Sequence, residues 1–255
     1  MTGPGSPFSL EGHRALITGG GSGLGLGIAR CFVAAGAEVV IAGRSAERLA
    51  SAAAELGPGA RTATHDVADA DAAEDFAGRV EGQFGPVSIL VNNAGGTVKK
   101  PVAAMQVSEF RDVLDVHVTG AFALTRAFLP QLRAGGRGSV LFTASMSSFL
   151  GIPFVAGYSA AKSAHVGLVR ALATELAPDG VRVNGVAPGW IDTALFRHAT
   201  QNDPARRAKI MGRIPMGRVG TEADIGWAMT YLASDAAGYV TGHVLVVDGG
   251  ALHGF

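Results

Sequence analysis

Cysteine is almost absent from this chain of 255 residues, in which Cys31 is the single one, so no internal disulfide can form. The apolar stretch RCFVAAG around it predicts a buried thiol, and a reducing cytoplasm is the expected location. The first nine residues, MTGPGSPFS, contain neither the basic nor the hydrophobic region of a secretion signal. Residues 1–9 are expected to form a flexible tail.

An excess of charge is also absent, since 21 acidic side chains balance 21 basic ones. No local run of lysine and arginine occurs, which argues against a nucleic acid or an anionic membrane as partner. No apolar run reaches the length of a membrane span, and no spacing of histidine or cysteine is typical of a metal site. With 48% hydrophobic residues, the composition predicts a soluble globular protein without a catalytic metal.

What the chain does contain is a regular alternation of short and long hydrophobic segments. Short runs such as RALIT and EVVIA alternate with longer amphipathic ones. Helices are predicted over 24–35, 46–56, 70–84, 108–132, 158–177 and 222–233, whereas the polar stretch near 190–220 is predicted to be irregular. Strands separated by such helices need crossover connections, hence a parallel sheet with helices on both faces. The expected fold is α/β, a single doubly wound domain over residues 10–255.

A cluster of glycines follows the first predicted strand and opens the first helix. In this stretch, GGGSGLGLG at 19–27, glycine lets the backbone turn sharply and approach a pyrophosphate, which a helix N-terminus attracts. A flexible turn without a ligand is the alternative. The strand before the cluster and the helix after it favour a nucleotide.

The end of the second strand, about 20 residues beyond the glycines, faces the adenosine ribose in such sites. An acidic residue there binds both ribose hydroxyls of NAD(H), yet this chain has Gly43 followed by Arg44. Because a forked guanidinium matches a 2′-phosphate, NADP(H) is the expected cofactor and NAD(H) is possible. An exposed arginine at a loop is the alternative.

The sequence YSAAK places Tyr158 one helical turn before Lys162. Residues four apart lie on one helix face, and a nearby ammonium favours the phenolate. The pair therefore predicts a proton donor and acceptor, with a surface tyrosine beside a solvated lysine as the alternative.

Taken together, these motifs resemble the short-chain dehydrogenase/reductase family, and the resemblance covers nearly the whole chain. The segments that carry it are TGGGSGLG at 18–25, NNAG at 92–95, PGWIDT at 188–193 and DGG at 248–250. The resemblance implies a Rossmann-type sheet of seven strands, ordered 3-2-1-4-5-6 with the strand HVLVVD added at the edge.

The same resemblance implies roles for the catalytic residues. Tyr158 is expected to be the acid/base, and Lys162 to lower its pKa and hold the nicotinamide ribose. Ser145, thirteen residues before the tyrosine, is expected to donate a hydrogen bond to the substrate carbonyl. Ser147 and Ser148 are competitors for that role, although their spacing is less like that of the family.

The resemblance also implies the residues that contact the cofactor, which lie in the glycine turn, after the strands and in the catalytic helix. They are Gly19, Ser22, Gly23, Leu24, Gly25, Arg44, Asp66, Val67, Asn93, Ala94, Gly95, Tyr158, Lys162, Pro188, Gly189, Ile191 and Thr193. One position departs from the family pattern, because His117 stands where an asparagine of the proton relay is usual. A relay role and a structural, buried role are both open for this histidine.

The implied reaction is reversible hydride transfer between nicotinamide and a small carbonyl or secondary-alcohol substrate. A 3-oxoacyl-type or general carbonyl reductase is favoured, and a sugar-acid or polyol dehydrogenase is the alternative. An alternative of another class is a cofactor-sensing or scaffold protein of weak activity, which only His117 supports.

Substrate and assembly are less constrained by the sequence. Residues 190–215 are predicted to form a lid over the substrate, and Lys99 and Lys100 either meet an anionic substrate or form a solvated pair. Long helices with small and apolar residues on several faces, together with the resemblance, predict a homo-oligomer, with a tetramer favoured over a dimer.

Overall fold

One parallel sheet organises the chain. A computed structural model describes residues 5–201 and 203–254, and in that part seven strands are ordered β3-β2-β1-β4-β5-β6-β7. The strands are β1 (Arg14–Thr18), β2 (Glu38–Gly43), β3 (Ala60–Thr64), β4 (Ile89–Asn92), β5 (Gly138–Thr143), β6 (Val181–Pro188) and β7 (Val244–Val247). All neighbouring pairs are parallel. The predicted doubly wound sheet and its strand order are confirmed.

Helices cover both faces of the sheet. They are α1 (Gly23–Ala34), α2 (Ala46–Leu56), α3 (Ala73–Phe84), α4 (Val107–Leu114), α5 (Gly120–Ala134), α6 (Ala156–Leu176), α7 (Ala194–Thr200), α8 (Pro204–Met211) and α9 (Glu222–Ala233). Successive strand residues point to opposite faces, so Ile17 joins the core beneath α1 and α9 while Leu16 joins the core beneath α3 and α5. This two-sided burial explains why the strands are almost continuously apolar.

The single helix expected over 108–132 is divided. A π-helical turn over Asp115–Thr119 separates α4 from α5, and the amide of Gly120 bonds the carbonyl of Asp115, five residues back. Turns of this kind insert one extra residue into a helix and are frequent at functional sites. His117 lies inside the π-helical turn and is buried.

The stretch near 190–220 was expected to be irregular, and this prediction is wrong in part because it contains α7 and α8. Thr193 caps the first through its hydroxyl, and Asp203 caps the second, in which Pro204 occupies the first turn. Residue 202 of the predicted lid lies outside the described residues.

Part of the predicted N-terminal tail contacts the domain. The carbonyl of Pro7 accepts a hydrogen bond from the amide of Ala236 at 2.8 Å, and the ring of Phe8 lies 6.2 Å from that of Tyr231. Residues 1–4 of that tail and Phe255 lie outside the described residues. Within residues 5–201 and 203–254, no helix has the length and apolar character that crossing a membrane needs.

Candidate active site

Three side chains of the predicted catalytic set meet where β5 ends and α6 begins. Ser145 follows β5 in extended backbone, and Tyr158 and Lys162 lie one turn apart in α6. Ser145 lies close enough to Tyr158 to lower the pKa of the phenol through hydrogen bonding, and the ammonium of Lys162 donates to the carbonyl oxygen of Thr143 at 2.5 Å. Ser145 and Lys162 are buried, whereas Tyr158 is partly exposed. The phenol is thus the member of the set that faces an incoming substrate.

Hydrogen bonds distinguish the three neighbouring serines. The hydroxyl of Ser148 donates to the carbonyl oxygen of Lys162 at 2.7 Å and so holds α6. The amide of Ser147 donates to Ser145 Oγ at 3.1 Å, while its own hydroxyl is buried without a hydrogen-bond partner in the described part of the chain. Because Ser145 acts on the pKa of the phenol while the Ser148 hydroxyl is bonded to the backbone of α6, this arrangement favours Ser145 over its competitors.

Burial sets the pKa values of the tyrosine and the lysine. It lowers the pKa of Lys162 from 10.5 to about 7, since the charged ammonium is taken out of water. Burial also raises the pKa of Tyr158, and the hydrogen bond from Ser145 offsets part of that rise. The ammonium lies 5.6 Å from the centre of the phenol ring. In the protein alone, burial therefore raises the pKa of Tyr158, contrary to the lowering by Lys162 that the spacing in YSAAK predicted.

His117 faces the loop after β4 and the back of the phenol ring. Its Nε2 lies 2.8 Å from the carbonyl oxygen and 3.1 Å from the amide of Gly96. Its ring packs edge-on against that of Tyr158, with centroids 5.6 Å apart at 85°. Burial first, and then the ammonium of Lys162, lower the pKa of His117 to about 4, so the imidazole is neutral at pH 7. A relay role for this side chain stays a prediction.

The NNAG loop ties three strands together. The hydroxyl oxygen of Thr18, the last residue of β1, accepts hydrogen bonds from the amides of Asn93 and Ala94, each at 3.0 Å. The side-chain amide of Asn93 donates to the carbonyl of Thr18 at 2.9 Å, and its oxygen accepts from Thr143 at 3.2 Å. A side chain at Gly95 would place its Cβ 1.9 Å from Cε1 of His117, so this glycine makes room for the imidazole.

The glycine turn forms a cradle free of side chains at the N-terminus of α1. Gly19 and Gly23 adopt φ values of 66° and 52°, in the left-handed region that favours glycine. A Cβ at Gly25 would lie 2.2 Å from the carbonyl oxygen of Gly19. Ser22 precedes α1 without a capping bond from its side chain, and Leu24 follows in the first turn. A backbone of this shape fits the pyrophosphate of a dinucleotide.

Arg44 lies beside this cradle, directly after β2. Its side chain is 79% exposed, and its guanidinium is 4.0 Å from the carboxylate of Asp66, a pairing too loose to immobilise it. Asp66 in turn accepts from the amide of Ala68 at 3.1 Å. A further cation, Arg48, was not among the predicted residues, although a Cβ at Gly21 would lie 3.6 Å from the Cβ of Arg48.

The remaining predicted cofactor residues lie at the carboxyl ends of the strands or in the loops that follow them. Pro188 ends β6, and the amide of Gly189 bonds the carbonyl of Val247 at 3.0 Å. Ile191 pairs with Gly220 in an isolated bridge just before the lid helices. Val67 lies against Gly120, where a Cβ would be 1.9 Å from the Val67 carbonyl oxygen. No cluster of three or more metal-ligating side chains occurs among the described residues.

One buried residue of the site was missed by the sequence analysis. His165 is 1% exposed, and its ring nitrogens lie within hydrogen-bonding distance of two backbone carbonyls, those of His117 and Thr143. Its position three residues after Lys162, on the same helix face, was a signal that could have indicated it.

Comparison with known proteins gives the family. The family model described as "Enoyl-(Acyl carrier protein) reductase" matches residues 19–252. A 2-dehydro-3-deoxy-D-gluconate 5-dehydrogenase of Pseudoalteromonas atlantica is 40% identical over 250 residues, which are 95% of this chain and 97% of the relative. A 3-oxoacyl-[acyl-carrier-protein] reductase of Salmonella typhimurium is 35% identical over 243 residues, 95% of this chain and 98% of the relative.

A solved structure agrees with these relatives. It is described as a putative NAD(P)-dependent gluconate 5-dehydrogenase of Beutenbergia cavernae with bound NADP at low occupancy. It is 42% identical, covers 97% of this chain and 99% of its own, and superposes with a TM-score of 0.90. The fold, the grouped serine, tyrosine and lysine, and these likenesses together show that the chain is an oxidoreductase belonging to the short-chain dehydrogenase/reductase family.

Proposed function

We propose that this enzyme is an NADP(H)-dependent dehydrogenase that oxidises a secondary hydroxyl of a sugar acid or polyol and reduces the corresponding ketone. The observation that carries the proposal is the grouping of Ser145, Tyr158 and Lys162 beside the glycine cradle. The substrate class is supported by the two relatives at 40% and 42% identity, both named as dehydrogenases of sugar acids.

In the proposed mechanism, Tyr158 moves the proton. During reduction the phenol gives its proton to the substrate oxygen, and during oxidation the phenolate takes the proton from the hydroxyl. Ser145 donates a hydrogen bond to the same oxygen and stabilises the negative charge that develops there. Lys162, fixed on the carbonyl of Thr143, favours the phenolate through its charge.

The proposed cofactor site combines the glycine cradle with the strand ends. The pyrophosphate would be held by residues 19–25, the adenosine end by Arg44, Asp66 and Val67, and the nicotinamide end by Lys162. Further contacts are proposed for Asn93, Ala94, Gly95, Tyr158, Pro188, Gly189, Ile191 and Thr193. When bound, the nicotinamide supplies or accepts the hydride. The open cradle and the exposed guanidinium support NADP(H).

A second candidate function is reduction of 3-oxoacyl thioesters, which the sequence analysis favoured. It is supported by the apolar lining near the lid, where buried Met146, Ile210 and Ile214 pack with Trp190 and Phe196. Such a surface suits an acyl chain better than a polyhydroxylated one. Lys100 does not favour an anionic substrate, because its ammonium pairs with Glu109.

Turnover of a substrate panel tests the choice. We expect a higher kcat/KM for polyhydroxy acids and polyols with NADP⁺ than for 3-oxoacyl thioesters with NADPH, followed by nicotinamide absorbance. The opposite order would assign the enzyme to acyl reduction. If the enzyme turns over neither class of substrate, both functions are contradicted.

We also propose that the enzyme is a homotetramer in the cytoplasm. Two separate surfaces support a tetramer. On the first, Val107 of α4 and Phe122 of α5 are exposed. On the second, Trp227 of α9 is exposed near the edge strand β7, whose four apolar residues are only partly buried. Two distinct self-complementary surfaces generate a tetramer of two-fold symmetry. Light scattering at micromolar concentration is expected to give four times the mass of one chain. A monomer would contradict the proposal.

A further inference from the structure

The imidazole of His165 bridges two parts of the active site. Its Nε2 lies 2.7 Å from the carbonyl oxygen of His117, in the π-helical turn. Its Nδ1 lies 3.2 Å from the carbonyl oxygen of Thr143, which also accepts from the ammonium of Lys162. One buried side chain of α6 thus contacts both the turn behind the phenol and the carbonyl that holds the catalytic lysine.

The ionisable groups around His165 determine its protonation. Lys162 faces it from its own helix and His117 from the π-helical turn, while β5 presents the Phe142 ring, 5.3 Å away, and the Thr143 carbonyl. Burial first, and then the charge of Lys162, lower the pKa of His165 to about 3, so the ring is neutral at pH 7. A neutral ring has one N–H, and the shorter contact places it on Nε2, donating to His117.

We propose that His165 is a positioning residue for the catalytic pair, because its bond to the His117 carbonyl fixes the π-helical turn against α6. The imidazole of His117 packs on the phenol ring of Tyr158. The hydrogen bond from His165 to the His117 carbonyl keeps that imidazole in place. On the other side of the His165 ring, the unprotonated Nδ1 packs 3.2 Å from the Thr143 carbonyl oxygen, on which Lys162 is held. The inference rests on the proposed roles of Tyr158 and Lys162 and adds a residue that acts through both.

Two substitutions separate the hydrogen bond from the packing. His165→Leu keeps much of the volume but removes the donor, and we expect kcat to fall about 10- to 100-fold, as for a buried group that loses its partner. The dissociation constant of NADPH is expected to change by only a few fold, because His165 does not line the glycine cradle and reaches the nicotinamide end only through Lys162. His165→Gln retains an N–H that can donate to a carbonyl and should restore most of kcat.

The pH dependence shows whether the effect passes through the catalytic pair. Oxidation needs the phenolate, so kcat rises with pH through the pKa of Tyr158. In His165→Leu the midpoint is expected to move to higher pH, because the phenolate and the ammonium of Lys162 are then held less closely together.

His13→Leu is the matched control. His13 is also a buried histidine, and its Nδ1 lies 3.0 Å from the Ser88 hydroxyl at the amino ends of the strands, away from the site. It should lower stability without moving the pH midpoint. An unmoved midpoint in His165→Leu, or a glutamine variant no better than the leucine one, would overturn the proposal. If the leucine variant fails to fold, the glutamine variant tests the proposal. Its kcat and its pH midpoint must then stay near the wild-type values, and a departure of either would contradict the proposal.

The failure of this proposal is distinguishable from failure of the proposed function. If Tyr158→Phe remains active, the proton donor is misassigned and the function proposed for the site falls. If Tyr158→Phe is inactive while His165→Leu matches the wild type in kcat and in the pH midpoint of kcat, only the proposed role of His165 is refuted.

Discussion

Replacing Tyr158 with phenylalanine is expected to lower kcat by about 10²- to 10⁴-fold, the range that a positioned acid or base contributes. The phenol is the partly exposed member of the buried group, and Ser145 acts on it by lowering its pKa. Phenylalanine keeps the ring that packs against His117 and removes only the group that carries the proton. The affinity for NADPH is therefore expected to stay within a few fold of the wild type.

Tyr239→Phe provides a matched control, because Tyr239 is fully exposed outside the site. The two variants should be compared by kcat in both reaction directions and by fluorescence titration with NADPH. If Tyr158→Phe keeps most of its kcat, the proton comes from another group and the mechanism is wrong. If it loses cofactor binding as well, the phenol has a structural role that the proposal does not contain.

The architecture was predictable because short stretches of the sequence indicate which segments form buried strands and which form helices. Runs such as RALIT and EVVIA are apolar on both faces, as only buried parallel strands are, and the helices between them fix the crossovers. The resemblance, which the family match confirms, supplied the strand order. The capping residues Thr193 and Asp203 with Pro204 are signals for the starts of α7 and α8, but the polar stretch around them lacks the apolar periodicity that predicts a helix.

The interior of the site was less accessible to sequence reasoning. A π-helical turn adds one residue to a helix without breaking its apolar pattern, so the division at 115–119 left no trace in the periodicity. His165 was missed because its partners are backbone carbonyls, which no side-chain motif reveals. The pKa of Tyr158 depends on burial, and burial is a property of the folded chain rather than of the spacing in YSAAK.

Changing Gly43 to aspartate together with Arg44 to leucine is expected to reverse the cofactor preference from NADP(H) to NAD(H). A 2′-phosphate brings roughly two negative charges, and one guanidinium bonded to it contributes about 1.5–3 kcal/mol. That amounts to a preference of about 10- to 100-fold. Because the Arg44 side chain is 79% exposed, solvent screening favours the lower end of the range.

The fold can accept the new aspartate. Gly43 does not adopt a positive φ, so an L-amino acid fits its backbone conformation. A Cβ at this position would contact only the side chain of Leu49, at an ordinary van der Waals distance of 3.7 Å. Its carboxylate would accept both ribose hydroxyls and repel the phosphate. Arg61→Leu is the matched control, since that guanidinium bonds the carbonyls of Pro58 and Ala60, in the loop before β3 and at its first residue.

The deciding measurement is kcat/KM for NADPH and NADH, together with their dissociation constants from calorimetry, in the wild type, the double variant and the control. A wild type that prefers NADH would refute the role of Arg44 outright. An unchanged ratio in the double variant would show that another group reads the phosphate. Arg48, whose Cβ would lie 3.6 Å from a Cβ at Gly21 in the glycine turn, would then be the cation to replace next.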